Sequence, residues 1–314
     1  MLMPLRHRCS SYRAPSGILV ALAALAWLRA APEPVPVVLL VEDSASIYRR
    51  AATGFEEGFG KSEKVQTIYV DAEGKTLAPL LARSSTFEPR LTVAIGTRAA
   101  LAAHSRLRGP VLYCLALDPE GNALTGENIG GFAFDIEVSR RMAEMQKALP
   151  RATRIGVIYD EPVSGRLVRQ ARRYLNPGVK LVMRDAQSAR VAGETIDSLA
   201  GNIDTFWLLW DPVIANPANF RRLVEFSFRN KVALVSPATP FVEAGALVSI
   251  SADYFETGRN TGILARKILD GKLRIADLGN KPPAGPLLTV NGEVARRLGI
   301  TIPPDLRAEI LSPQ

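Results

Sequence analysis

The sequence predicts an α/β protein of two Rossmann-like lobes with parallel sheets, joined by a multi-strand hinge. Short apolar runs rich in β-branched residues recur along the chain after residue 34, and stretches of helical period separate most of them. Such alternation is typical of parallel sheets that helices cover on both faces. At 314 residues the chain exceeds what one compact core usually holds, so two lobes are expected.

The first 31 residues have the layout of a secretory signal peptide. Three arginines precede Gly17–Leu28, a stretch of twelve residues without a charge, and small residues follow at 30 and 31. We expect removal of residues 1–31 on export, and an uncleaved N-terminal anchor is the alternative. Removal takes away four arginines and no acid, so the formal net charge falls from +8 to +4. No basic run with interleaved aromatic residues indicates nucleic acid.

Four predicted strands belong to the first lobe. They are VPVVLLV (35–41), VQTIYV (65–70), LTVAIG (91–96) and VLYCLAL (111–117). The stretch SIYRRAATGFEEGF, which follows the first strand, has the period of an amphipathic helix. Residues 118–135 are rich in Gly, Asn and Asp and show little periodicity, so we interpret them as the crossover to the second lobe.

Four further strands are predicted in the second lobe, and two more complete the series. They are RIGVIYD (154–160), VKLVMRD (179–185), DTFWLLWD (204–211), VALVSPA (232–238), LVSIS (247–251) and PLLTV (286–290). LVRQARRYL and FRRLVEFSFRN are predicted helices between them. We assign 33–134 plus about 247–285 to the N-terminal lobe, and 135–246 plus about 286–314 to the C-terminal lobe.

Small, hydroxyl and acidic residues follow most of the predicted strands. In open α/β sheets, ligands bind at the carboxyl ends of the strands. The candidate binding residues are therefore Ser44, Ala45, Gly96, Thr97, Asp118, Asp160, Trp210, Asp211, Thr239 and Asp253. Hydroxyls and helix N-termini suit a carboxylate, so Thr97 is expected to bind one, while Asp118 or Asp211 accepts a ligand ammonium. Helix capping is the alternative role for any single Asp.

Aromatic residues adjoin the same strand ends. Trp207 and Trp210 lie three apart on a predicted strand and face opposite sides, so Trp210 either stacks on a ligand ring or packs within its lobe. Phe132 and Phe134 are similar candidates. Glu42, which ends the first strand, is interpreted as a solvated residue of the following turn.

Catalytic and metal-binding signals are missing from the sequence. No nucleophile elbow, P-loop or dinucleotide fingerprint occurs, and His104 is the one histidine beyond the signal segment. Cys114 is the one cysteine there, so no internal disulfide is expected. We expect no enzyme, no cofactor and no metal, although an acid–base enzyme that uses the aspartates stays open.

Four stretches, taken in order, resemble ABC transporter substrate-binding proteins of the tryptophan/tyrosine-binding type. They are VAIGTRAALAA (93–103), LALDPEGNALTG (115–126), VSPATPFVEAGALVSISADYFETGRNTGILARKILDGK (235–272) and LLTVNGEVARRLGITIPPDL (287–306). The resemblance covers roughly 35–306 and implies a periplasmic-binding-protein fold of type I, with a cleft between the lobes. It also implies that a monomer in the periplasm captures a small polar ligand and delivers it to the permease and ATPase of an importer.

Departures from the family pattern leave the ligand open. Arg98 stands where the family often has Pro, Ala123 replaces a common Val, and the loop 211–220 offers Asp211 without the usual Asp-Asn pair. An amino acid is one option for the ligand, and an aromatic one is the form that the family name implies. The alternative function is a ligand-sensing periplasmic module for a membrane sensor partner, since such a module uses the same fold.

Overall fold

A computed structural model describes residues 37–43, 45–61, 64–71 and 89–311 of the chain. The predicted signal peptide and the candidate residue Ser44 lie outside these ranges. Within them the chain forms two sheets, each covered by helices, and no helix is long and apolar enough to cross a membrane. We call the first sheet with its helices lobe 1, and the second sheet with its helices lobe 2.

The first sheet is parallel throughout. Its strands are β1 Val37–Glu42, β2 Val65–Val70, β3 Leu91–Ile95, β4 Val111–Ala116, β5 Ile129–Ala133 and β11 Asn280–Lys281, in the order β11-β5-β4-β3-β1-β2. The helices of lobe 1 are α1 Ser46–Phe59, α2 Thr97–Arg106 and α8 Tyr254–Leu269. Strands β1, β3 and β4 are buried along their whole length, as their near-continuous apolar sequences predict.

The second sheet is mixed at one edge. Its strands are β6 Arg154–Tyr159, β7 Lys180–Asp185, β8 Thr205–Trp207, β9 Ala233–Ser236, β10 Val248–Ser251, β12 Leu287–Asn291 and β13 Glu309–Leu311, in the order β13-β12-β10-β9-β8-β6-β7. Strand β12 runs antiparallel to β10, and β13 lies parallel to β12. The helices of lobe 2 are α3 Val138–Ala148, α4 Glu161–Ala171, α5 Ala189–Ile196, α6 Pro217–Asn230, α7 Thr239–Glu243 and α9 Gly292–Leu298.

Each of the ten predicted strands is present, and the two-lobe α/β prediction is confirmed. The interpretation of 118–135 as the crossover to the second lobe needs correction, because β5 lies within it and pairs with β4, so the chain leaves lobe 1 only after β5. Two glycines hide this strand in the sequence. A Cβ on Gly131 would lie 1.9 Å from the carbonyl oxygen of Tyr113, so a side chain there is excluded by the neighbouring strand.

The expected lobe boundary near residue 247 also needs correction. Strand β10 pairs with β9 on one side and β12 on the other, so it belongs to lobe 2 and not to the N-terminal lobe. Helix α8 and strand β11, which follow it, lie with the first sheet. Among the described residues the chain therefore passes between the sheets after β5, after β10 and after β11, and these passages form the hinge.

Helices α1 and α8 pack at very short range in lobe 1. A Cβ on Gly258 would lie 1.9 Å from the carbonyl oxygen of Ala51, and one on Gly54 would lie 2.0 Å from that of Phe255. Gly58 and Gly262 show the same close approach to backbone atoms. Because glycine carries no Cβ, the two backbones touch directly and hold α8 against the first sheet.

Candidate functional site

A cavity of about 800 Å³ lies between the two lobes. Small-molecule sites commonly enclose about 300–1,000 Å³. Lobe 1 contributes residues 117–122 after β4, and lobe 2 contributes the start of α4 and the segment after β8. The remaining lining residues are Ala133, Asp135, Arg141 and Asn280. The cavity therefore lies where α/β sheets bind ligands, at the carboxyl ends of their strands.

The wall from lobe 1 is a turn held by side chains around it. The Leu117 N–H donates to Thr97 Oγ1 at 2.9 Å, and the Asn122 side-chain amide donates to the Leu117 carbonyl at 2.8 Å. Asp118 Oδ1 accepts a hydrogen bond from the Gly121 N–H at 3.2 Å. Asp118 lines the cavity, as predicted, whereas the Thr97 hydroxyl fixes the turn that presents it.

Behind this turn, Glu42 is buried and not solvated as expected. Its side chain is 7% exposed, and its Oε1 accepts a hydrogen bond from Arg98 Nε at 2.9 Å. Its Oε2 accepts a second hydrogen bond, from the Arg98 N–H at 3.1 Å. A Cβ on Gly96 would lie 2.6 Å from Glu42 Oε2, so Gly96 leaves room for this carboxylate. Arg98 thus gives a buried acid its partner, which the sequence did not indicate.

In lobe 2, Asp211 joins two strand ends. It is fully buried; its Oδ2 accepts from the Asp160 N–H at 2.9 Å and its Oδ1 from the Val213 N–H at 3.1 Å. Asp160 is the residue before α4, and its side chain makes no capping hydrogen bond. The Asp211 carboxylate therefore orders the segments around α4 and β8, which is a positioning role.

Five aromatic residues, which we call the aromatic cluster, run from lobe 1 to lobe 2 beside the cavity. They are Tyr48, Phe134, Trp210, Phe241 and Tyr254. The Phe134 ring centroid lies 5.8 Å from that of Trp210 in an edge-to-face arrangement, and 6.0 Å from that of Tyr254. Trp210 lines the cavity, and its buried Nε1 has no hydrogen-bond partner among the described residues.

Arg141 and Asp135 form an ion pair in the same cavity. The Arg141 side chain is only 5% exposed, although guanidinium groups are rarely buried unless paired. Burial, and next the charge of Asp135, raise the pKa of the adjacent Tyr254 phenol. Arg141 is not among the residues predicted from the sequence. It lies on the apolar stripe of α3 with the buried residues Met142 and Met145, and an arginine in that stripe is the sequence feature that could have indicated it.

The other candidates lie elsewhere. Thr239 Oγ1 is hydrogen-bonded to Thr289 Oγ1 at 3.1 Å, and Asp253 caps α8 by accepting from the Glu256 N–H at 3.0 Å. Ala45 is the exposed residue before α1. Of the predicted site residues that the structure describes, Asp118 and Trp210 line the cavity. Ligand contact by all of the predicted residues stays a prediction.

Comparison with known proteins places the whole described chain in one family. The family described as ABC transporter substrate binding protein matches residues 39–311. A tyrosine-binding protein of Clostridioides difficile (strain R20291) is 22% identical over 236 residues. That match covers 69% of this chain and 66% of the relative, which is just under two thirds of the relative's length.

Solved structures share the fold at low sequence identity. The ligand-free, open structure of a substrate binding protein with adhesive properties from Clostridium difficile has a TM-score of 0.75 and 23% identity, with 89% of this chain and 100% of that chain covered. An ABC domain from Streptococcus pneumoniae in complex with L-Trp has a TM-score of 0.63 and 22% identity, with 88% and 99% covered. The type I periplasmic-binding-protein fold implied by the sequence is therefore confirmed.

Proposed function

Because the chain belongs to the ABC transporter substrate-binding protein family, we propose that its cleft captures an aromatic amino acid for import. The observation behind this proposal is that Trp210 of the aromatic cluster and the Asp135–Arg141 ion pair line one cavity. Trp210 suits a ring, and the ion pair suits the ammonium and carboxylate groups of an amino acid. The permease and ATPase of an importer are the proposed partners, and the periplasm is the proposed location.

The ring of the ligand packs against Trp210. Aromatic pairs prefer offset or edge-to-face contact, which contributes about 0.5–1.5 kcal/mol beyond area burial. Trp210 already makes one such contact with Phe134, and it leaves the indole N–H unsatisfied. A ligand with an aromatic ring adds another such contact to Trp210.

The charged end of the ligand meets Arg141 and Asp135. A guanidinium has five N–H donors in a planar fork that suits a carboxylate, and an aspartate accepts from an ammonium. Asp118, on the lobe 1 wall, is a second acceptor for the ammonium. This assignment moves the expected carboxylate site from Thr97 to Arg141, because Arg141 lines the cavity and Thr97 does not.

Calorimetric titration with tyrosine, tryptophan and phenylalanine tests this function, with leucine and glucose as comparison ligands. We expect Trp210→Ala to weaken tyrosine binding about tenfold, because a desolvated aromatic contact is lost. Arg141→Gln should weaken binding of tyrosine but not of tyramine, which lacks the carboxylate. Tyr174→Ala, at an exposed aromatic residue that does not line this cavity, is the matched control. Failure of the wild-type protein to bind any of the three aromatic amino acids contradicts the proposal.

A ligand-sensing role in the periplasm is the alternative, and it predicts the same binding. Pull-down of the ligand-loaded protein with membranes that contain a permease, or with those that contain a sensor kinase, separates the two. We also propose that the protein has no catalytic role. Recovery of the amino acid unchanged after prolonged incubation is the measurement that checks this.

A further inference from the structure

Two short segments, one from each lobe, line the same cavity and have matching chemistry. The segment from lobe 1 carries Leu117 and Glu120, and the segment from lobe 2 carries Val163 and Arg166. In both, an apolar residue precedes a charged one by three positions. Leu117 is 44% exposed and Val163 is 57% exposed, which is unusual for large apolar side chains at a cavity.

Both segments are firmly held. The hydrogen bonds that Thr97 and Asn122 make to Leu117 fix the lobe 1 segment. Val163 and Arg166 lie on α4, whose start is tied to the sheet through Asp211. Their exposure therefore belongs to ordered elements, and the two segments approach each other only if the lobes move as bodies.

Glu120 and Arg166 carry opposite charges. Neither side chain has an ion-pair partner within 4.0 Å among the residues that the structure describes. The neighbouring charges differ in this respect, since Arg169 pairs with Glu161 and Arg141 pairs with Asp135. An acid and a base that line one cavity from opposite lobes without partners attract each other as the cavity narrows.

We propose that Glu120 and Arg166 form an ion pair across the cleft in the closed state, and that Leu117 and Val163 pack together beside it. We call these four residues the cross-cleft latch, and they are positioning residues for the ligand. The effect of the latch on ligand affinity rests on the proposed function. A contact made only in the closed state shifts the equilibrium towards closure and raises the apparent affinity. Hinge closure around a ligand supplies the required motion.

Charge reversal across the cleft tests the latch by rescue. Glu120→Arg and Arg166→Glu should each lower the affinity for tyrosine about tenfold, because attraction becomes repulsion. The double variant restores the pair in the opposite sense and should return the affinity to within about threefold of wild type. Glu57→Arg, an exposed change of equal charge on α1, is the control and should leave affinity unchanged. If the double variant loses as much affinity for tyrosine as the two single variants combined, the latch is refuted.

A disulfide trap tests closure without any ligand. Leu117→Cys with Val163→Cys, in a Cys9→Ala chain where Cys114 stays buried, should form an intramolecular disulfide with oxidised glutathione as the oxidant, because closure brings the two Cβ atoms to the separation of about 3.5–4.5 Å that a disulfide needs. Adding Glu120→Arg should slow the oxidation, and further adding Arg166→Glu should restore its rate. No disulfide, or a rate insensitive to both charges, overturns the latch even if tyrosine binds. A trap that forms in a protein that binds no aromatic amino acid refutes the proposed ligand and not the latch.

Discussion

Replacing Gly258 by alanine tests whether the contact between α1 and α8 holds lobe 1 together. The new Cβ would lie 1.9 Å from the carbonyl oxygen of Ala51, whereas ordinary contact begins near 3.4 Å. Backbone atoms cannot rotate away as a side chain does, so the helices must separate by about 1.5 Å at this point. Separation also loosens the other close approaches along the pair, at Gly54, Gly58 and Gly262.

Two opposing effects set the size of this change. Alanine is the better helix former by about 1 kcal/mol, which favours the variant. Overpacking costs about 1–3 kcal/mol, and a collision with backbone belongs at the upper end of that range. The expected net result for Gly258→Ala is a loss of about 2 kcal/mol in the free energy of unfolding of lobe 1.

Urea unfolding followed by far-ultraviolet circular dichroism measures this loss, with the slope of the transition checked for separate unfolding of the lobes. The matched control is Gly292→Ala at the first residue of α9. The nearest atom to its new Cβ is Ile310 Cγ2 at 3.5 Å, an ordinary contact. The control should be as stable as the wild-type protein or slightly more so. If Gly258→Ala matches that control, the close approach does not determine the stability of lobe 1.

Two further predictions concern buried polar groups. Asp211→Ala should lower the free energy of unfolding by about 3 kcal/mol, because the N–H groups of Asp160 and Val213 lose their acceptor. Asp211→Asn should lower it by less, and urea titrations measure both changes. Burial raises the pKa of Tyr48 to about 12 from its ordinary 10.0. Its neutral phenol therefore contributes stability that is complete below pH 10 and lost as the pH rises through 12. Tyr48→Phe should flatten the alkaline fall of the thermal midpoint, and the exposed Tyr69→Phe should not.

The strands that are buried on both faces were predicted from sequence because a short, continuous apolar run without a polar face is typical of a buried strand. The runs that became β1, β3 and β4 have no polar face, and each was placed to within two residues at either end. The strands that escaped prediction are short or rich in glycine. Strand β5 contains Gly130 and Gly131, and β11 has only two residues, so neither has a pattern to detect.

The site was only partly readable, for a physical reason. Strand ends are predictable from where apolar runs stop, and this brought Asp118 and Trp210 to the cavity. The Asp211 carboxylate turns inward and accepts hydrogen bonds from backbone N–H groups. The packing of several loops determines which strand-end carboxylates do this, and the sequence pattern does not show that packing. Arg141 comes from a helix face that local pattern assigns to the core, and only the neighbouring Asp135 makes its burial tolerable.

The passages of the chain between the lobes determine the order in which the protein is completed during synthesis. Strands β1 to β5 emerge first, but α8 and β11, which cover and extend their sheet, lie after β10 of lobe 2. A growing chain therefore carries the first sheet without one of its covering helices while residues 154–251 are still being made. Lobe 1 therefore acquires its full core only after residue 281 has left the ribosome, although it begins the described sequence, and lobe 2 is completed later still by β12, α9 and β13.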